Sequence, residues 1–289
     1  MKYYSYFPGC SAESTASPLG ISTPPTAKAL DMDLIELDDW NCCGSTPYGS
    51  VNKLEAISMA LRNLALAEKT GLDLVTSCSN CYVILYEANA HFKESVALRE
   101  QVNEALAAGN LTYQGGVRVR HLAEVLYNDI GPEAIKAKVS KSLDGLKVAS
   151  YYGCQLVRPN VEFDDPESPH SLDDLVTSLG AEAISWPLKS RCCGSSLIMS
   201  EQDVALGLVS KLLSSAQGNG AQCIITPCPL CQINLDAYQS KVNGKFKTNY
   251  DLPVLFPTQL IGIALGISPA ELGLNRNIVS PMKVLAPYL

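Results

Sequence analysis

The sequence predicts an α/β protein made of two duplicated, pseudo-symmetric domains, each a small parallel sheet flanked by helices. Two observations predict this class. Short β-rich runs alternate with helical stretches in both halves of the 289-residue chain, and most of the cysteines recur at a fixed spacing. We place the boundary near Gly145, which gives an N-terminal domain of residues 1–145 and a C-terminal domain of residues 146–289.

The cysteine repeat is the clearest sign of duplication. Ten of the eleven cysteines form two groups with the same order: a lead cysteine, an adjacent pair and a Cys-x-x-Cys. The last four members of the two groups are offset by 150 residues, and the lead cysteines by 144. The first quintet is Cys10, Cys42, Cys43, Cys78 and Cys81, and the second quintet is Cys154, Cys192, Cys193, Cys228 and Cys231. Such agreement does not arise from random placement.

Short β-rich runs precede the cysteines of each quintet. The predicted strands are residues 2–7, 34–37, 72–75, 147–152, 183–186 and 223–226. They end before the lead cysteine, the adjacent pair and the Cys-x-x-Cys of each half. Because ligands collect outside the carboxyl ends of the strands in an open α/β sheet, we expect each quintet to converge at one edge of its sheet.

One-sided helices are predicted between these strands. Apolar residues recur at helical spacing along residues 54–64 and 205–213, and Gly71 and Gly218 are expected to end the two helices. Pro229 suits the first position of a helix that begins inside the second Cys-x-x-Cys. The cysteine-free stretch 92–145 is predicted to be helical at 96–107, 121–128 and 133–142.

Three chemistries compete for the thiols. A thioredoxin-like dithiol would leave the lead cysteines and adjacent pairs without a role. Zinc takes four ligands in a tetrahedron, which fits poorly with five cysteines per group and only three histidines in the chain. Iron–sulfur clusters use thiolates as their main protein ligands, and adjacent cysteines can bind two metals of one cluster. We therefore favour an iron–sulfur cluster at each quintet, and expect Cys223, outside both, to be a buried core residue.

Composition and missing motifs argue against several classes of function. A net charge of −7 argues against a nucleic-acid partner. We find no signal peptide and no apolar run near the ~20 residues of a membrane span, so we expect a cytoplasmic protein without a direct membrane span. The nucleotide-binding glycine motifs and the ferredoxin cysteine run are absent, so electrons are expected to arrive from another protein.

The paired pattern Cys-x(31–37)-Cys-Cys-Gly…Cys-x-x-Cys resembles the cysteine-rich CCG domain, and two copies in one chain resemble the B subunit of heterodisulfide reductase. The match runs from Tyr6 to about Tyr238 and fills all ten ligand positions. The resemblance implies a noncubane 4Fe-4S cluster at each quintet and reductive cleavage of a small-molecule disulfide between the clusters. In methanogenesis this substrate is the mixed disulfide of coenzyme M and coenzyme B. It also implies two partners in the same complex, the ferredoxin-like iron–sulfur C subunit and the flavin-bearing A subunit.

A second function stays open, because relatives with the same domain do other work. The alternative is an electron-relay subunit without its own substrate, in a bacterial complex similar to heterodisulfide reductase or in a succinate:quinone reductase. A disulfide reductase should give a substrate-dependent paramagnetic signal, and a relay should not.

Charged and aromatic residues near the quintets suggest how a substrate would be held. The basic side chains Arg158, Lys189 and Arg191 lie near the second quintet in sequence, whereas Glu13, Asp38 and Asp39 lie near the first. The basic set is interpreted either as solvated surface that compensates an anionic cluster or as a site for a sulfonate or phosphate of the substrate.

Four aromatic residues precede the lead cysteines: Tyr6, Phe7, Tyr151 and Tyr152. We expect them to pack in the core, unless one of them lines the gap that holds the substrate.

Overall fold

Two four-stranded parallel sheets, one in each half of the chain, organise the computed structural model, which describes residues 1–45, 47–158 and 163–289. The strands are β1 (Lys2–Phe7), β2 (Met32–Glu36), β3 (Leu74–Thr76), β4 (Val119–His121), β5 (Lys147–Ser150), β6 (Glu182–Ala183), β7 (Cys223–Ile225) and β8 (Val254–Leu255). Their orders, β2-β1-β3-β4 and β6-β5-β7-β8, are the same in both sheets. The predicted α/β class with two duplicated domains is therefore confirmed.

Helices cover the sheets. They are α1 (Ser17–Ala29), α2 (Lys53–Glu68), α3 (Ser79–Glu94), α4 (Val96–Ala107), α5 (Leu122–Val125), α6 (Pro132–Lys136), α7 (Ser171–Ser178), α8 (Gln202–Gly218), α9 (Pro229–Ala237), α10 (Gln239–Phe246), α11 (Pro257–Ala264) and α12 (Met282–Leu285). The helices predicted after each adjacent pair are α2 and α8, and α4 has the bounds predicted for residues 96–107. Asn52 caps α2 because its side chain accepts the Glu55 N–H at 3.2 Å.

The stretch after α4 differs from the prediction of two further long helices. Its residues 119–121 form the edge strand β4, and the helix predicted at 121–128 begins one residue later, after His121. The helix predicted at 133–142 ends at Lys136. The reason is tertiary, since the N–H groups of Ser140 and Lys141 both donate to the carbonyl of Ala264 at the end of α11. Bonds to the other half of the chain thus replace further helical turns.

The two halves share one apolar core. Tyr4, Leu30 and Met32 from the first half belong to the same buried cluster as Leu172 and Ile261 from the second. The boundary at residue 145 lies between the two sheets and stays a prediction. Across the described ranges, no helix combines the length and apolarity needed to cross a membrane.

Helices α1 and α11 make a close contact across the two halves. Small and hydroxylated residues allow this approach: Thr26 donates to the carbonyl of Thr258 at 2.9 Å, and the hydroxyls of Ser22 and Thr258 lie 2.7 Å apart. A Cβ on Gly262 would lie 2.3 Å from Leu272 Cδ2 and 3.0 Å from Thr26 Oγ1. The contact therefore requires glycine at position 262.

We expect Gly262→Ala to lower the free energy of unfolding by roughly 1–3 kcal/mol, because the added methyl overpacks a buried helix contact. Gly207→Ala is the matched control. Gly207 also lies within a helix, α8, but nothing lies within 4 Å of its added Cβ. This control should be neutral or stabilising by up to about 1 kcal/mol, from helix propensity alone. Denaturant unfolding of both variants measures the difference, and equal changes would contradict the packing argument.

Candidate metal centres and the cavity between them

The strand ends bring the cysteines of each quintet together. The lead cysteine follows β1 or β5, the adjacent pair follows β2 or β6, and the Cys-x-x-Cys follows β3 or β7. All eleven cysteines are free thiols. Electrostatic interactions connect every member of a quintet. In the first quintet, Cys42 interacts with Cys10 and Cys43, Cys43 interacts with Cys81, and Cys81 interacts with Cys78. In the second quintet, Cys154 interacts with Cys192, Cys193 and Cys228, and Cys231 interacts with Cys193 and Cys228. The expected convergence is therefore present twice.

Hydrogen bonds within each quintet favour the thiolate form of some members. Bonds from Cys42 and Cys81 lower the pKa of Cys43 to about 4, although burial opposes this, and the same bonds raise the pKa values of Cys42 and Cys81. A bond from Cys154 lowers the pKa of Cys192 to about 6, and the Gly194 N–H lies 3.3 Å from the Cys192 sulfur. Because metals bind thiolates and release the thiol protons, this donor set suits thiophilic metals.

The donor chemistry fits a multi-iron group better than one ion. Each quintet brings five thiols together, and Cys193 Sγ lies 3.5 Å from Cys231 Sγ. Among the side chains that the structure describes, no three His, Cys, Asp or Glu residues are arranged to hold a single metal ion. The eleventh cysteine, Cys223, is fully buried in β7, and burial raises its pKa to about 12, so the expected core role is confirmed.

Glycines before the lead cysteines bring the backbone close to each Cys-x-x-Cys. Gly9 and Gly153 have φ values of +78° and +68°. A Cβ would lie 3.1 Å from Cys81 Sγ at Gly9 and 3.2 Å from Cys231 Sγ at Gly153. Both the left-handed backbone and the sulfur contact therefore favour glycine. The sequence carries this signal, since a Gly-Cys pair occurs at the start of both quintets.

A cavity of about 690 Å³ lies between the two halves. The second quintet contributes all five of its cysteines to the lining. The first half contributes residues next to its own quintet and along α2 and α3: Gly44, Ser45, Gly49, Lys53, Ala56, Ile57, Ala60, Ser79, Asn80, Ile84, Glu87, Ala88 and His91. Tyr6, Phe7, Tyr151 and Tyr152 are buried, as expected, and Tyr152 also lines this cavity.

The three basic residues proposed from sequence lie outside the described lining of this cavity. Lys189 is held by Asp173 at 2.8 Å and by the carbonyl of Pro169. Arg158 pairs with Glu167 at 3.3 Å. Arg191 is exposed and has no ion pair with any described residue, so it is the member of the set most available to a ligand. Their role in substrate binding stays a prediction.

His121 is a functional candidate that sequence reasoning missed. It is only 1% exposed, and its Nδ1 accepts the Ala123 N–H at 3.0 Å. Burial lowers its pKa to about 3, although a hydrogen bond to the Pro227 backbone opposes this, so the ring is neutral. Its Nε2 lies 3.3 Å from Ser79 Oγ. The ring thus contacts the first Cys-x-x-Cys at Ser79.

Comparison with known proteins identifies the domains. The cysteine-rich domain called CCG matches residues 4–86 and 148–236. A membrane anchor subunit of the 8-methylmenaquinol:fumarate reductase of Wolinella succinogenes is 36% identical, over 98% of this chain and 99% of its own length. The B subunit of the ferredoxin/F420H2-dependent CoB-CoM heterodisulfide reductase of Methanosarcina acetivorans is 34% identical, over 99% of this chain and 97% of its own length.

A solved structure shows the same fold. It is a hypothetical protein from Helicobacter pylori, with a TM-score of 0.79 over 96% of this chain at 17% identity. This chain spans 52% of the length of that protein.

Fold and cysteine sites together define a protein with two cysteine-rich CCG domains. The chain belongs to the B-subunit family of heterodisulfide reductases. The domains and these relatives point to iron–sulfur clusters as cofactors and to an oxidoreductase role within a multi-subunit complex. The preference for iron–sulfur over zinc or a simple dithiol is supported by this result.

We expect Gly9→Ala to reduce iron binding at the first quintet only, and Gly153→Ala at the second only, because each methyl would displace a sulfur. Each variant should keep roughly half of the parent protein's iron. Gly71→Ala is the matched control, because its φ is also +68° but nothing lies within 4 Å of the added Cβ. Iron and sulfide analysis of anaerobically reconstituted protein measures the effect. Equal iron loss in the control would show that backbone strain, not the sulfur contact, is responsible.

Proposed function

We propose that this chain is the disulfide-cleaving subunit of an oxidoreductase complex. The first quintet, Cys10, Cys42, Cys43, Cys78 and Cys81, would hold one noncubane 4Fe-4S cluster. The second, Cys154, Cys192, Cys193, Cys228 and Cys231, would hold another. The observation that supports this proposal most is the cavity between the halves, which is lined both by the whole second quintet and by the residues that flank the first.

The reaction consumes two electrons and two protons and gives two thiols from one disulfide. When bound, the clusters would supply the electrons, one each. The chain's own residues form the surroundings: Ile57, Ile84 and Leu230 provide apolar wall, and Ser79 and Asn80 provide polar groups beside the first quintet. By the names of the Methanosarcina relatives, the substrate would be the CoB–CoM heterodisulfide.

The partners and location follow from the same proposal. Because no nucleotide-binding motif occurs in the sequence, electrons would come from two other members of a heterodisulfide reductase complex, the ferredoxin-like iron–sulfur C subunit and the flavin-bearing A subunit. We place this complex in the cytoplasm and expect no nucleic-acid partner, in keeping with the net charge of −7.

One comparison favours a second candidate function. The Wolinella relative, 36% identical over nearly the whole chain, is named as a subunit of a fumarate reductase that uses 8-methylmenaquinol. By analogy, this chain would relay electrons between partner subunits and would have no disulfide substrate.

We expect the reconstituted, anaerobic protein to develop a new paramagnetic signal when the disulfide or its product thiol is added, and to reduce the disulfide when an electron donor is present. A relay subunit would show neither. Cys193→Ala should abolish the ligand-dependent signal, because it removes a buried cysteine of the cavity. Cys223→Ala, which removes a buried cysteine outside the quintets, should retain it. Electron paramagnetic resonance makes the measurement. A parent protein whose signal does not change when the disulfide is added, and which does not reduce it, would favour the relay function.

We also expect Arg191→Ala to raise the Michaelis constant for an anionic disulfide by roughly fivefold, since one exposed ion pair contributes up to about 1 kcal/mol. The Michaelis constant for an uncharged disulfide should not change, which makes it the control. An Arg191→Ala protein with an unchanged constant for the anionic substrate, at normal iron content, would reject Arg191 as a substrate-binding residue.

A further inference from the structure

A chain of three polar side chains crosses between the two halves beside the cavity. Gln155 Nε2 donates to Asn80 Oδ1 at 2.6 Å, and Asn80 Nδ2 donates to Ser45 Oγ. We call these three residues the amide bridge. All three line the cavity, and each lies within two residues of a quintet cysteine: Gln155 follows Cys154, and Asn80 precedes Cys81. The bridge thus connects the lead-cysteine loop of the second quintet to the first quintet.

The bridge breaks the symmetry of the duplication. At the position equivalent to Asn80, the second half has Leu230, which also lines the cavity but has no hydrogen-bonding side-chain atom. At the position equivalent to Gln155, the first half has Ser11, whose side chain is much shorter. The same side chains therefore cannot make the reciprocal link, and the bridge is a feature of the pair of domains rather than of the repeat.

The bridge is a direct polar link between the two quintets. It joins the lead-cysteine loop of the second quintet to Asn80, which lies inside the first Cys-x-x-Cys. Next to Asn80, Ser79 Oγ lies 3.3 Å from Nε2 of the buried His121 ring, so the first-half end of the bridge is itself held by the fold. A part-buried amide that loses its partner is left unsatisfied, which stabilises the bridged arrangement over an open one.

We propose that the amide bridge sets the separation and relative orientation of the two cysteine groups, so that Asn80 and Gln155 are positioning residues for a disulfide held between them. This inference rests on the proposed function. The physical reason is that a disulfide has a fixed S–S length of about 2.05 Å, so its two sulfurs reach two sites only over a narrow range of gaps. Small errors in the placement of reacting groups lower rates strongly.

The test compares Asn80→Leu, which copies Leu230, with Gln155→Leu and with the double variant. Leu230→Ala is the matched control, because it alters the cavity wall without removing a bridge atom. Asn80→Asp is the conservative variant, since it still accepts from Gln155 and can accept from the Ser45 hydroxyl. Iron content, the magnetic dipolar interaction between the two reduced clusters, and kcat and KM for the disulfide are measured on the reconstituted holoprotein.

We expect both leucine variants to keep their iron, to change the dipolar interaction, and to lose about tenfold or more in kcat with little change in KM. The double variant should be no worse than Asn80→Leu alone, because Gln155 acts in the bridge only through its hydrogen bond to Asn80. Leu230→Ala and Asn80→Asp should retain the parent's dipolar interaction. Gln155→Ser, a smaller truncation, replaces Gln155→Leu if thermal unfolding shows that the leucine variant does not fold.

An unchanged dipolar interaction in both single variants would overturn the inference, as would fully additive effects in the double variant. Failure of the proposed function looks different. A parent protein that contains two clusters but does not reduce disulfides, together with variants that shift the dipolar interaction, would reject the disulfide substrate and support the positioning role. A parent without two paramagnetic centres would overturn both.

Discussion

In each half of the chain, five thiols converge at the carboxyl ends of three neighbouring strands, and the position of both candidate metal sites follows from this convergence. In each sheet the three strands that precede cysteines are contiguous: β2, β1 and β3 in the first half, and β6, β5 and β7 in the second. The lead cysteine follows the inner strand β1 or β5, so the adjacent pair and the Cys-x-x-Cys reach it from either side. A different strand order would separate the thiols, and no single cluster could then bind all five.

The relation between the two sites depends on contacts of two kinds. Helices α1 and α11 pack closely through small residues, and both halves contribute to one apolar core. Beside the thiols, the contact is polar: the amide bridge connects the loops that carry the cysteines of the two quintets. Apolar burial stabilises the pairing of the domains without fixing direction, whereas hydrogen bonds fix geometry. The combination suits a protein whose proposed substrate must meet two sites at once.

Much of the fold could be predicted because the cysteine repeat marks the strand ends. The inner strands, the helices after the adjacent pairs and the role of Pro229 all follow from local pattern. The edge strands β4 and β8 were missed because they are short and, unlike the equally short β3, β6 and β7, no quintet cysteine follows them to mark the strand end. Helix α1 was also missed, since it continues through Pro24 and Pro25, which ordinarily interrupt a helix.

The site was predicted less completely, for a related reason. Thiol spacing singled out the ten cysteines. Nothing in the sequence distinguishes Asn80 and Gln155 from other polar residues, and only the fold places Gln155 Nε2 2.6 Å from Asn80 Oδ1. Charge near the second quintet in sequence did not show which cations are already paired: Lys189 pairs with Asp173, whereas the role of the basic set in substrate binding stays a prediction. Tertiary juxtaposition, which no local pattern encodes, decides which polar residues meet at the site.

Anomalous diffraction at the iron absorption edge, from crystals of anaerobically purified protein, can show whether each quintet binds its own multi-iron cluster. We expect two separate iron peaks, one beside Cys43 and Cys81 and one beside Cys193 and Cys231, each too strong for a single ion. A single peak, or density with the absorption edge of zinc at either quintet, would contradict this expectation.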